Sequence, residues 1–138
     1  MKERLALLIA ALWWGSLTTL GFWVVPMLFA HLPTPALAGA MAGRLFSAQT
    51  GVSVVCGTLL ILILGSKREY SNVQRAFYAI GLVVFSTLMA LLVEFGVSPH
   101  ILARENLRLW HGVGSAMYFL QWLCTGLLLW RLTRQRIS

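Results

Sequence analysis

The fold this sequence predicts is a bundle of four membrane-spanning helices with no soluble domain. Two observations predict it. Hydrophobic residues make up 59% of the chain and charged residues only 11%, about half the charged share of an ordinary soluble domain. The apolar residues also fall into four long runs joined by short polar or basic stretches. So few charges cannot solvate so apolar a surface, and lipid must cover most of it.

The first run, Leu5 to Ala30, is interrupted only by Gly15, Ser16, Thr18, Thr19, Gly21 and Pro26. At about 1.5 Å per residue it crosses a hydrocarbon core of roughly 30 Å. Lys2 and Arg4 precede it, and Ala36-Leu37-Ala38 imitates a signal-peptide cleavage site. The run exceeds the ~7–15 residues of a signal-peptide core, so an uncleaved helix over about 5–30 is expected.

The second helix is expected over about 34–64. Thr34 is a good N-cap, Pro35 fits the first helical position, and Gly65 is a stop residue. Its first turns hold Gly39-Ala40-Met41-Ala42-Gly43, a small-xxx-small pattern that permits close helix approach. The third helix is placed at 71–95, with Ser71 and Gln74 as a capping box. The fourth is placed at 98–133, opened by Ser98-Pro99. Its first part, through Arg108, reads as an amphipathic interfacial segment.

A shift of 64 residues aligns Thr34-Pro35 with Ser98-Pro99 and Arg44-Leu45-Phe46 with Arg108-Leu109-Trp110. Two tandem helical hairpins, related by a pseudo-twofold along the membrane normal, are one reading of this match. A shared capping rule is the other.

Four spans put both termini and the loop near 65–71 on one side. That side carries Lys2, Arg4, Lys67, Arg68, Arg75, Arg131, Arg134 and Arg136, against Arg44, Arg104 and Arg108 on the other. The positive-inside rule places both termini in the cytoplasm. The same clustering disposes of nucleic acid as the meaning of the +7 net charge: the basic residues flank apolar runs and form no reading face. Cys56 and Cys124 lie inside apolar runs and read as buried structural thiols.

The remaining chemistry gathers on the predicted outer side. His31 follows the first helix, Glu94 ends the third, His100 opens the fourth, and His111 sits a turn inside it. Arg44 and Arg108 lie at similar depth if the repeat is real. In the fourth helix Arg104, Arg108, His111, Ser115 and Trp122 share a face, and in the second so do Arg44, Ser47, Gly51 and Thr58. Ionisable groups within a membrane are costly and tend to face a bundle interior or a cavity. Arg44, Glu94, Arg108, His111 and Ser115 are therefore the candidate ligand-binding residues. An ion pair fixing helix ends is the bland alternative.

His111 and His31 are the candidate metal or haem ligands, since imidazole serves both. No His-x-x-x-His or Glu-x-x-His spacing supports them. With no Asp in the chain and no Gly-x-Ser-x-Gly, nucleophilic catalysis has no signature, and no enzymatic activity is assigned. Trp23, Trp110 and Trp130 suit interfacial belts, whereas Trp13, Trp14 and Trp122 lie deeper and read as packing.

Leu28-Phe29-Ala30-His31-Leu32-Pro33, Arg44-Leu45-Phe46 and His111-Gly112-Val113-Gly114-Ser115 resemble motifs of the transmembrane protein 205-like family, a domain of unknown function. The resemblance runs from Trp14 to Leu129. It implies four membrane helices, no settled activity and, for bacterial members, the inner membrane. Three functions are compatible with this reading. The first is binding of a small ligand, lipid head group or partner at the outer polar cluster. The second is a haem- or metal-binding redox protein. The third is a subunit or assembly factor of a larger membrane complex, or a homo-oligomer.

Overall fold

The computed structural model describes residues 1–66 and 73–137, with side chains through Arg134. Among them are four helices long and apolar enough to cross a membrane, and no strand. They are α1 (Lys2–His31), α2 (Pro35–Gly65), α3 (Val73–Leu102) and α4 (Leu107–Ile137). Each packs on the next, and α4 closes on α1. This is the up-down-up-down arrangement that short connections favour. At most 33% of any span's apolar window is buried within the bundle, so most of each helix faces outward, as lipid requires.

Local chemistry explains the elements. Thr34 caps α2, its hydroxyl accepting from Leu37 N at 3.2 Å, with Pro35 at the first helical position. The helix ends at Gly65, and Ser66 keeps right-handed backbone, so Gly65 stops it without a left-handed turn. The expected cap at Ser71 lies outside the described residues.

The third and fourth helices differ from expectation. Ser98-Pro99 does not open a helix: it continues α3, whose last turns are Ser98–Leu102. The connection is Ala103–Asn106, and α4 begins at Leu107. A proline inside a helix lacks an N–H and crowds the carbonyl four residues back. Here a π turn over Val93–Val97 widens the helix where Phe95, four residues before Pro99, would be crowded. Pro26 is treated the same way by the π turn Leu20–Val24, which contains Phe22. Wider turns let both spans pass a proline without leaving the helix.

The true turn is built from other residues. Arg104 and Asn106 take left-handed backbone, with φ of 56° and 35°. Asn106 Oδ1 accepts from Leu109 N at 3.4 Å at the start of α4. His100 meets Glu105 at 2.6 Å and stacks on Trp110 with centroids 4.0 Å apart. Two expectations fall with the helix boundary. His100 closes α3 rather than opening α4, and Glu94 sits within α3 rather than ending it. The match of Thr34-Pro35 to Ser98-Pro99 therefore pairs a cap with a helix interior. α2 and α4 stand diagonally in the bundle and are joined across its centre by the Gln121–Ser53 hydrogen bond.

The two ends of the bundle differ. Toward the end where both termini lie, Ala10, Trp13, Leu60, Leu64, Val83 and Leu128 form a closely packed apolar core. Gly57 lets α2 approach Thr87 of α3, and Gly126 lets α4 approach the Trp14 ring of α1. Polar side chains enter the interior near mid-span, at Gln49, Ser53 and Gln121, and the buried residues closest to the far end, Ala38, Ala42 and Val97, are apolar again. There the last turns of α1, Val25–His31, pack on α2.

Candidate functional site

The far half of the bundle carries the candidate residues, on three different helices. Glu94, held in the π turn of α3, accepts a hydrogen bond from Ser47 Oγ of α2, 2.9 Å from one carboxylate oxygen and 3.1 Å from the other. Ser47 lies one turn along α2 from Arg44. Arg44 and Arg108 are exposed, and among the described residues neither forms an ion pair with Glu94. His111 and Ser115 are exposed on α4, one and two turns along from Arg108. Among the described residues no hydrogen bond or ion pair joins any two of the five candidates. The sole carboxylate of the group is engaged by a neutral hydroxyl.

His31 is exposed at the end of α1, where Nδ1 lies 3.0 Å from the Met27 carbonyl of its own helix. No described contact joins it to His111. Among the described residues no three of His, Cys, Asp and Glu come close enough to hold a metal ion. Cys56 and Cys124 are free thiols, the first buried and the second half-buried.

One polar assembly escaped the sequence reading. It lies between the apolar core and the Ser47–Glu94 bond. Ser53 of α2 is fully buried and accepts from Trp13 Nε1 of α1 at 3.0 Å and from Gln121 Nε2 of α4 at 2.8 Å. Gln49, one turn away, donates to Ser16 Oγ of α1 at 2.9 Å, and Ser16 donates to the Trp13 carbonyl. Tyr118 donates to the Leu17 carbonyl at 2.7 Å, and Trp122 Nε1 donates to Thr18 at 2.9 Å. Three helices are thus tied together by hydrogen bonds within the span. A polar group left unpaired in hydrocarbon costs several kcal/mol, roughly 2–7 on transfer scales, which is why these groups find one another. The signal was present in the sequence: Gln49 and Ser53, and Gln121 and Thr125, are polar pairs at four-residue spacing inside apolar runs.

The deeper tryptophans do pack. Trp13 is fully buried, and Trp14 and Trp122 stack with centroids 5.9 Å apart. Trp13 also donates the hydrogen bond that anchors α1 to Ser53.

Residues 8–109 match the family described as a domain of unknown function, DUF4149. The matched stretch takes in Arg44, the Ser47–Glu94 bond and Arg108, and ends before His111. No curated protein and no solved structure matches the chain.

Proposed function

We propose, for a chain that belongs to the DUF4149 family, that it is a small multi-pass protein of a bacterial inner membrane that binds an anionic lipid head group at its far end. Arg44, Arg108 and His111 make the ionic contacts in this reading, with Ser115 as a further donor. Glu94 acts from the rim by holding α2 against α3. The resemblance to the transmembrane protein 205-like family supports the membrane setting, and the skew of basic residues toward the termini supports a cytoplasmic position for both.

The carrying observation is the state of Glu94. Its carboxylate is occupied by Ser47, and Arg44 and Arg108 stay exposed without an ion-pair partner among the described residues. Arginine forks suit phosphate, and each basic residue near a membrane surface adds about 1 kcal/mol of attraction for anionic lipid.

Native mass spectrometry of the full chain, with phosphatidylglycerol against phosphatidylcholine, tests the reading. Arg44→Ala with Arg108→Ala is expected to lower phosphatidylglycerol retention by roughly fivefold per arginine, from about 1 kcal/mol each. The comparison variant, Arg75→Ala with Arg131→Ala, removes the same charge from the other end. Equal losses in the two variants would mean general charge attraction and sink the proposal.

A further inference from the structure

The hydrogen bonds around Ser53 leave groups in need of partners. Ser53 Oγ already accepts twice, so its own proton remains to be donated. The Gln121 amide uses one N–H on Ser53 and the Gln49 amide uses one on Ser16. Each keeps a second N–H and a carbonyl oxygen with two lone pairs. All three residues are more than nine-tenths buried, Ser53 at 0%, Gln121 at 3% and Gln49 at 8% exposure. Neither lipid nor the apolar side chains nearby can serve them.

All three also line one small, partly open cavity between α2, α3 and α4, with Phe46, Ala90 and Tyr118 among its other walls. Its volume is about 10 Å³, at the threshold for one water molecule and too small for a larger guest. Water supplies two donors and two acceptors. It can accept from Ser53 while donating to the two glutamine carbonyls, within the two to four partners usual for a buried water.

We propose that the membrane-spanning core holds one ordered water, bridging Gln49, Ser53 and Gln121. It joins α2 to α4 across the diagonal, beside the direct Gln121–Ser53 hydrogen bond. The site is independent of the far-end head-group reading, and its failure would leave that reading untouched.

Solid-state NMR of the full chain in bilayers, following polarisation transfer from water protons to side-chain nitrogens, tests it. The exposed Gln74 is the hydrated reference. The Trp122 indole, bonded to Thr18 between α1 and α4, is the dry one. Transfer to Gln49 and Gln121 Nε2 is expected near the Gln74 rate and well above the Trp122 rate. Transfer to both glutamines no faster than to Trp122 would overturn the proposal in the unaltered protein. Ala90→Val fills the cavity from α3 and is expected to abolish the fast transfer at Gln121 while Gln74 is unchanged. Persistence of that transfer in an Ala90→Val protein with an unshifted Trp13 indole signal would also overturn it. Should this variant fail to fold, the measurement on the unaltered chain decides alone.

Discussion

Ser53 and Ser86 are both fully buried serines on adjacent helices, and their hydroxyls meet opposite fates. Ser53 receives two donors from two other helices, whereas Ser86 Oγ has no hydrogen-bond partner among the described residues. A satisfied buried hydroxyl contributes modestly, and an unsatisfied one costs about 1–3 kcal/mol. Ser86→Ala should therefore raise stability, by about 1 kcal/mol. Ser53→Ala should lower it by about 1–3 kcal/mol, because it strands the Trp13 indole N–H and a Gln121 N–H. Reversible unfolding in mixed micelles measures both. A Ser86→Ala protein that loses as much as Ser53→Ala would show that a partner for Ser86 had been missed. At this scale the sequence was partly legible. Polar residues inside apolar runs are visible in it, but which of them find partners depends on helices 40 and 68 residues away in the chain.

Among the elements, proline carried the misreading. Thr34-Pro35 and Ser98-Pro99 are the same signal in sequence, and the first does cap a helix. The second lies inside α3 because the π turn before it makes room for the ring. Such a turn has no composition of its own, so Asn106, a sound cap residue, was passed over as the start of α4. The helix contacts depend on glycine in the same particular way. A Cβ at Gly57 would collide with Thr87, whose hydroxyl is held by the Val83 carbonyl at 2.9 Å. Gly57→Ala should cost about 1–3 kcal/mol by overpacking. Adding Thr87→Ala should restore most of that loss, while adding Thr87→Ser should not, since the colliding oxygen stays. A failure of Thr87→Ala to rescue would place the strain elsewhere.

The whole molecule is asymmetric along its axis. Apolar residues fill the end that carries both termini, a polar layer crosses the bundle near mid-span, and the Ser47–Glu94 bond lies beyond it toward the far end. By sequence position eight of the 11 basic residues flank the terminal ends of the spans, and the orientation proposed from this has that side in the cytoplasm. A reporter active only in the periplasm should be silent when fused after Ser138 and active when inserted between Arg104 and Glu105. An active fusion at Ser138 would reverse the orientation and move the proposed head-group site to the inner leaflet.

Four spans and the limits of the first two were legible in the sequence itself, which also predicts an orientation. Each rests on a local quantity: the length of an apolar run, a cap such as Thr34, or the charge between runs. Only the tertiary structure decided which helices are diagonal, that Glu94 goes to Ser47 rather than to an arginine, and that Gln49, Ser53 and Gln121 surround one small cavity. The physical reason is rotation. A residue's depth follows from counting along its helix, but its azimuth toward a neighbour follows from packing. The two π turns shift that azimuth partway along α1 and α3, so a face drawn at a constant 100° per residue does not carry through them.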